Sequence, residues 1–319
     1  MNFEKIPPVE TSKSLLDIAF RKARERGKSK NLTGNWLQII RQKESLKLDI
    51  IKDNIVPRLD KIVEIFPDTR VMSKFYIDLM QLTLDYGELK KSLGAAGWAA
   101  KRIRLLHREY VSKINKTKER EKIKGLIREF YGRISSTLNQ INPNLKYLEE
   151  SRRTMRTYPD IKDMFTVCVY GFPNVGKTTL LNKLTNTKAK TAEYSFTTTS
   201  INAGYFISDN LQVQVLDVPG TLARKKMNNI ELQANLVIKD LADVIVYVFD
   251  LSESCGYSLK QQEQLLEKLG NNKPVLIYLS KTDLPEGKSG KDSKHKSYSL
   301  PELKKEILNL AKSFESSKE

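Results

Sequence analysis

The pattern of hydrophobic and polar positions changes near residue 160. Before it, apolar residues recur every three or four positions, which places them on one helical face and predicts a helical core. After it, short continuous apolar runs alternate with helical segments, as in a mostly parallel sheet. These runs are 165–170, 201–207, 211–216, 244–249 and 275–279. The predicted fold class is α+α/β: an antiparallel helical bundle over 1–160, then an α/β domain with a mostly parallel sheet over 161–319.

Proline and glycine mark the expected ends of the helices. A long helix beginning near Trp36 is expected to break or kink at Pro57, and Pro143 should interrupt the helix before it. The segment 94–97, Gly-Ala-Ala-Gly, is interpreted as a turn or a close contact between helices. One continuous helical face is expected to contain Phe75, Leu79, Leu82, Tyr86, Leu89 and Leu93.

The net charge of +17 is concentrated in the first half of the chain. Residues 1–160 contain 34 Lys and Arg against 20 Asp and Glu, whereas residues 161–319 contain 21 against 18. Such asymmetry favours a nucleic-acid partner, or an anionic membrane surface, for the first half. The alternative is a lysine-rich helical domain with solvated faces. His107 has no partner at metal-ligand spacing and is interpreted as incidental.

The cysteines and the apolar runs also indicate the cellular compartment. The only cysteines, Cys168 and Cys255, lie in apolar contexts, so a reducing compartment is favoured over a disulfide framework. No apolar run approaches the length of a membrane span, and no N-terminal signal pattern occurs. The sequence therefore predicts a cytoplasmic protein with no membrane partner.

A phosphate site is predicted at residues 171–179, GFPNVGKTT, which match G-x-x-x-x-G-K-[ST]. The motif follows a strand-like run and precedes a helical one, the context in which loop N–H groups and a helix N-terminus bind phosphate. Lys177 can reach the β and γ phosphates, and the Thr178 hydroxyl can ligate Mg²⁺. The flanking elements disfavour a glycine-rich turn that matches by chance.

Two switch contacts are predicted downstream. Residues 217–220, DVPG, follow a strand, so Asp217 can hold Mg²⁺ through water and the Gly220 N–H can meet the γ phosphate. Among the threonines at 197–199, Thr198 is favoured as the other ligand of Mg²⁺. Both contacts need a γ phosphate, so its loss would release both loops.

A guanine-binding motif is predicted at residues 280–283, SKTD, after another strand. The Asp283 carboxylate can accept from the base N1–H and exocyclic amine, which adenine does not offer, and the Lys281 stem can pack along the purine. The last guanine-loop motif should lie near 296–299.

The residues assigned to the nucleotide are Gly171, Phe172, Pro173, Asn174, Val175, Gly176, Lys177, Thr178, Thr179, Asp217, Val218, Pro219, Gly220, Thr221, Ser280, Lys281, Thr282 and Asp283. Those given catalytic roles are Lys177, Thr198 and Gly220, and the metal contacts are Thr178, Thr198 and Asp217.

Several motifs together resemble the nucleolar GTP-binding protein (Nog) family, related to the Obg and DRG GTPases. They are GFPNVGKTT, AEYSFTTTSINAG at 192–204, DVPGTL at 217–222, NNIELQA at 228–234 and DLSESCGYSL at 250–259. The resemblance implies a GTPase that assembles the large ribosomal subunit, with basic helices on ribosomal RNA. Ser280 stands where the family usually has Asn, and Val218 where it usually has Thr. The long C-terminal extension of eukaryotic members is absent, so a compact, archaeal-like member is expected.

Slow intrinsic hydrolysis is expected. Thr221 occupies the position where Ras-like enzymes have the water-orienting Gln, so the rate should be near about 10⁻⁴ s⁻¹ without an activator. Asn174 matches the phosphate-loop Asn that related GTPases use with potassium, so K⁺-stimulated hydrolysis is a hypothesis.

Two functions from different classes remain open from the sequence. In the first, a monomer binds GTP and GDP, and its hydrolysis times release from a large-subunit precursor. In the second, it is an RNA-binding placeholder whose shape the nucleotide stabilises and whose hydrolysis is dispensable. A signalling GTPase at an anionic membrane is a third and weaker interpretation, since no lipidation motif occurs.

Overall fold

The chain divides into two compact units. One unit comprises Asn2–Met72 and Thr83–Arg156, and the other comprises Ser73–Leu82 and Thr157–Glu319. We call them the helical unit and the nucleotide unit. The computed structural model describes residues 3–26, 33–158, 161–185, 192–196, 199–208, 211–220, 229–270, 273–282 and 296–316.

The described part of the first half of the chain contains helices and connecting segments but no strand. Its helices are α1 (Ser12–Arg26), α2 (Trp36–Ile65), α3 (Lys74–Thr83), α4 (Tyr86–Lys116), α5 (Arg120–Gln140) and α6 (Asn142–Met155). In the helical unit, α2 packs on α1 and α4, and α4 packs on α5 and α6. The apolar residues of α5 at helical spacing, from Ile123 to Leu138, are buried, and Pro143 lies in the first turn of α6, where it ends the preceding helix as predicted.

Of the break or kink expected at Pro57, the break is wrong, because α2 runs for 30 residues through it, and the kink stays a prediction. Proline costs a helix one hydrogen bond, but Ile55, Val56 and Leu59 around it are buried in the core. Apolar packing therefore offsets the local loss. The start of α2 is fixed by a capping box in which Asn35 and Gln38 each bond the other's backbone N–H.

The single helix expected from Phe75 to Leu93 is in fact two. The Asp85 side chain accepts a hydrogen bond from the Glu88 N–H at 3.0 Å and starts α4 anew. The segment 94–97 lies inside α4, so the turn interpretation is wrong. A Cβ at Gly97 would lie 3.9 Å from Val63 Cγ2, which agrees with the alternative of a close helix contact.

Helix α3 belongs to the nucleotide unit although it lies in the first half of the chain. Its Tyr76 hydroxyl accepts a hydrogen bond from the Ile161 N–H at 3.0 Å. Lys74 Nζ lies 3.9 Å from Asp240 Oδ1 of the same unit. Residues 73–82 therefore come before the expected boundary at 160/161 but belong to the unit that lies mostly after it.

The nucleotide unit contains a seven-stranded sheet in the order β2-β3-β4-β1-β5-β6-β7. Its strands are β1 (Thr166–Tyr170), β2 (Ala192–Phe196), β3 (Thr199–Ser208), β4 (Leu211–Asp217), β5 (Val244–Asp250), β6 (Val275–Ser280) and β7 (Ser297–Tyr298). The pairs β2–β3 and β3–β4 are antiparallel and the others are parallel. Strands β1, β4, β5 and β6 thus end at one edge, which collects the residues that follow them.

Most of the second-half elements follow the apolar runs, with two strands missed. Strand β2 was not among the predicted runs, because it has no continuous apolar stretch and pairs along β3 through backbone hydrogen bonds that need no apolar side chains. The two-residue β7 is too short for a periodicity signal. The helices are α7 (Lys177–Thr185), α8 (Asn229–Asp240), α9 (Leu259–Glu267) and α10 (Leu300–Ser316).

Cys168 and Cys255 are buried free thiols. Across the described ranges, none of the helices combines the length and apolarity needed to cross a bilayer.

Candidate functional site

The predicted phosphate loop connects β1 to α7 with an unusual backbone. Gly171, Asn174 and Gly176 have φ angles of 150°, 60° and 96°. A Cβ at Gly171 would lie 2.9 Å from the Val248 carbonyl oxygen, so a side chain there would collide with β5. Left-handed residues alternating with right-handed ones turn successive N–H groups into one concavity, which is an anion-binding nest.

Lys177 begins α7 with its ammonium group enclosed by this loop. The residue is 8% exposed, and Nζ donates to the carbonyl oxygens of Phe172 at 2.8 Å and Gly171 at 3.3 Å. Burial lowers the pKa of Lys177, although the nearby Asp217 opposes that shift. A desolvated ammonium beside an anion nest is a site for a phosphate oxygen.

Thr178 and Asp217 form the second half of the predicted phosphate site. The Thr178 hydroxyl donates to Asp217 Oδ2 at 2.5 Å, and Asn202 Nδ2 lies 3.4 Å from the same oxygen. Burial raises the pKa of Asp217, whereas the Thr178 hydrogen bond and Lys177 lower it. A hydroxyl beside a desolvated carboxylate is a set of hard oxygen donors, so these residues fit Mg²⁺.

Gly220, in the predicted second switch segment, lies against the predicted phosphate loop. A Cβ added at Gly220 would lie 2.6 Å from the Pro173 nitrogen and 2.8 Å from its Cα. Val218 is buried, and its N–H donates to the Val169 carbonyl at 3.2 Å. Only glycine fits where the D-x-x-G segment crosses the phosphate loop.

The predicted guanine-binding motif begins at Ser280, the last residue of β6, at the same edge of the sheet. The Ser280 hydroxyl donates to the Phe249 carbonyl oxygen at 2.9 Å, and its Cβ lies 3.6 Å from the position of a Cβ at Gly176. Lys281 has a φ of 55° and donates from Nζ to Asp250 Oδ2 at 2.8 Å. Thus β5 supports the motif through both a backbone carbonyl and a carboxylate.

The segment 250–259 links the two loops, a role that sequence reasoning missed. Asp250 is fully buried and accepts from Lys281 Nζ, the Ser252 hydroxyl and the Cys255 N–H. Tyr257 stacks on Phe172 of the phosphate loop with ring centroids 4.4 Å apart. The available signal was an acid at the end of a buried strand, followed by serines that could bond its carboxylate.

Asp250 is expected to position Lys281, so Asp250→Asn should weaken GDP binding by about tenfold. Burial alone would raise the pKa of Asp250, but hydrogen bonds from Lys281, Ser252 and Cys255 hold it at about 2. The resulting stability is present above the ordinary pKa of about 4 and is lost as pH falls from there toward 2. The amide of the Asp250→Asn variant does not titrate, so this acid-range loss, amounting to roughly 2 kcal/mol of unfolding free energy, should disappear. Calorimetric GDP titration and pH-dependent denaturation measure the two effects.

Glu253→Gln is the matched control for that substitution. Glu253 lies in the same segment and accepts from the Leu259 N–H at 2.7 Å, at the start of α9. The control should bind GDP as the parent does. Equal GDP affinity in Asp250→Asn and the parent would show that Lys281 needs no carboxylate to hold it.

Some sequence-predicted residues lie outside the described residues. They are Thr198, Thr221 and Asp283, so their predicted roles stay predictions. The expected last guanine-loop motif falls on β7, which pairs with β6 through Ser297 and Tyr298, and on Ser299, whose hydroxyl bonds Glu302. His107, interpreted as incidental, lies 2.6 Å from Asp49, and no cluster of three metal-ligating side chains occurs in the described chain.

The fold and this site define a P-loop GTPase domain. Residues 166–281 match the family model described as 50S ribosome-binding GTPase, and residues 3–162 match the NOG1 N-terminal helical domain. The chain belongs to the NOG1 family of GTP-binding proteins. That confirms the resemblance carried by the sequence motifs.

The chain aligns with different shares of the length of its individual relatives. The chain is similar to an uncharacterized protein of Methanocaldococcus jannaschii, 35% identical over 88% of this chain and 81% of that one. It is also similar to nucleolar GTP-binding protein 1 of Drosophila melanogaster, 31% identical over 89% of this chain and 44% of that protein. The chain thus spans less than half of the Drosophila relative. Among solved structures, the G domain of the T. maritima FeoB iron transporter is 26% identical with a TM-score of 0.38, over 46% of this chain and 99% of that domain.

Proposed function

We propose that this protein is a GTP-hydrolysing switch that acts in large ribosomal subunit assembly, with its helical unit on ribosomal RNA. The observation that supports the switch is the contact of Thr178 with Asp217 beside the enclosed Lys177. The ribosomal partner is supported by the family description over residues 166–281 and by the charge of residues 1–160. We further propose a cytoplasmic monomer.

Each residue of the site would have a separate role in phosphoryl transfer. Lys177 would leave the carbonyls of Gly171 and Phe172 for the β and γ phosphates, where its charge stabilises the transition state. Thr178 and Asp217 would hold Mg²⁺, which when bound neutralises charge on the β and γ oxygens. The nest N–H groups orient the phosphate chain and exclude water from one side.

Release of the switch is proposed to follow loss of the γ phosphate. Gly220 lies against Pro173, so its N–H is positioned near the loop that holds the phosphates. Thr198 is proposed as the contact from the first switch segment. Hydrolysis would remove the group that both contact, and the two segments would then relax.

Potassium is expected to stimulate hydrolysis, because Asn174 occupies the phosphate-loop position with a φ of 60° and no glutamine follows Gly220. A monovalent cation near the β and γ oxygens would supply charge where an arginine finger would otherwise act. Turnover in KCl should exceed turnover in NaCl at equal ionic strength, and Asn174→Ala should remove the difference. Equal rates in the two salts would contradict the hypothesis.

The proposed role is tested by purifying the bound particle and footprinting its RNA with GTP and with GDP. A switch predicts protected large-subunit RNA that changes with the nucleotide. Asp217→Asn should then stay trapped on the particle or fail to join it, since its Mg²⁺ site is altered. Absence of ribosomal RNA from the purified particle would contradict the proposal.

A placeholder that needs no hydrolysis is the second candidate. It is favoured only by the helical unit, whose basic charge would suffice for RNA binding. It predicts that Asp217→Asn supports normal particle release and normal RNA protection. The two candidates therefore differ in a single measurement, the amount of variant retained on the particle.

A further inference from the structure

The outward face of α4 presents two apolar side chains to solvent. Trp98 is 44% exposed and Leu105 is 56% exposed, although both lie in a helix whose opposite face is fully buried. They are seven residues apart and therefore lie on the same side of the helix. An exposed tryptophan on a charged helix face is not explained by the packing of the bundle.

Three cations flank these apolar groups. Lys101, Arg102 and Arg108 are exposed on the same side of α4, and no ion pair of theirs occurs among the described residues. The acid on this face, Glu109, pairs with Lys113 at 2.6 Å. The face thus keeps an uncompensated positive charge around an aromatic ring.

A neighbouring arginine shows the contrast. Arg104 of α4 is ion-paired with Asp60 of α2. Its charge is compensated within the bundle, whereas Arg108, one turn further on, has no such partner in the described chain. Arg104 is therefore a control of the same residue type on the same helix.

We propose that this face, the α4 strip (Trp98, Lys101, Arg102, Leu105 and Arg108), binds unpaired nucleotides of RNA, with Trp98 stacked on a base. The choice of RNA as polyanion rests on the proposed function. From Trp98 to Arg108 the strip rises about 15 Å, enough for about four stacked nucleotides. Alternating cations and an aromatic ring are the elements of single-strand recognition, because phosphates meet the cations and any base can stack.

Other partners fit the strip less well. An interfacial membrane helix inserts a wide apolar face, whereas here only two apolar side chains stand among three cations. A protein interface of standard size needs about 800 Å² from each partner with a mostly apolar centre, which a strip of five residues does not supply. These partners remain outcomes of the test.

The chain allows a direct optical test because it has only two tryptophans, Trp36 and Trp98. The full-length Trp36→Phe variant reports on Trp98 alone, and the full-length Trp98→Phe variant reports on Trp36. A short single-stranded RNA of mixed sequence should quench Trp98 fluorescence and leave Trp36 unchanged. The same RNA annealed to its complement should quench Trp98 much less, since its bases are already stacked and paired.

Affinity measurements on the full chain separate stacking from charge. Trp98→Ala should weaken single-stranded RNA binding by about tenfold. Arg108→Ala should lower the slope of log K against log salt by about 0.7, whereas Arg104→Ala should leave it unchanged. Trp36→Ala is the control for the loss of an exposed tryptophan. Circular dichroism checks that each variant is folded.

Several results would overturn the assignment. Unchanged RNA affinity in Trp98→Ala, with other variants confirming that RNA is bound, would place the RNA elsewhere and leave the proposed function intact. Equal quenching of Trp98 by polyglutamate or by phosphatidylserine vesicles would show an acidic-protein or membrane surface. Failure of the full chain to bind any RNA at low salt would remove both the strip and the RNA part of the proposed function.

Discussion

Lys177→Ala is expected to reduce GTP hydrolysis by about a hundredfold or more. The Lys177 ammonium is enclosed by the phosphate loop and is held on two carbonyl oxygens, with burial lowering its pKa. The variant would leave the phosphates without their buried cation, and the loss is larger in the transition state because charge develops there. Single-turnover release of phosphate from GTP measures it.

Lys183→Ala is the matched control for that prediction. Lys183 lies in the same helix α7 but is exposed and distant from the loop by nearly two turns. Its replacement should change turnover by less than about twofold, because exposed charges contribute little. Parent-like hydrolysis by Lys177→Ala would mean that the phosphates do not bind in the loop between β1 and α7.

Gly220→Ala is expected to weaken binding of a non-hydrolysable GTP analogue by about five- to a hundredfold, the range that forced overpacking of 1–3 kcal/mol produces. The added Cβ would lie 2.6 Å from the Pro173 nitrogen, and a backbone atom of a tight loop has little room to move. The second switch segment must then shift away from the phosphate loop. GDP should lose less affinity than the analogue, because only the analogue has the γ phosphate that the Gly220 N–H is proposed to meet.

Gly132→Ala is the control for adding a methyl group. A Cβ at Gly132, within α5, would meet nothing within 4 Å. It should stabilise the protein by up to about 1 kcal/mol and leave both nucleotide affinities unchanged. Equal losses for GDP and the GTP analogue in Gly220→Ala would show that the glycine serves the loop alone and not the terminal phosphate.

The site was predictable where one short segment determines the geometry. Residues 171–179 form their nest from local backbone angles and two glycines, so the pattern alone indicates the conformation. Asp217 was predictable because a carboxylate at the end of a strand parallel to β1 must lie near Thr178. The SKTD motif at residues 280–283 predicted guanine from its residue types, whereas the family resemblance added the large ribosomal subunit as the expected partner.

The remaining features depend on contacts between distant segments. The pairing of Asp250 with Lys281 and the stacking of Tyr257 on Phe172 join parts of the chain that no motif connects. The break at Pro57 was wrongly expected, because the helix propensity of one residue was outweighed by burial of its neighbours. Strand β2 was missed because its pairing with β3 uses backbone groups, which leave no hydrophobic pattern.

The position of helix α3 determines how the chain can be divided into stable fragments. The polypeptide crosses between the two units at 72/73, 82/83 and 156/157. Three covalent connections therefore join the units, and not a single linker. A fragment ending at residue 160 would strip α3 from its own unit and expose Phe75, Tyr76, Leu79 and Met80, all buried in the intact chain. A cut near residue 157 would leave Tyr76 and Ile161 on different pieces, so the hydrogen bond from the Ile161 N–H to the Tyr76 hydroxyl would then join two separate chains.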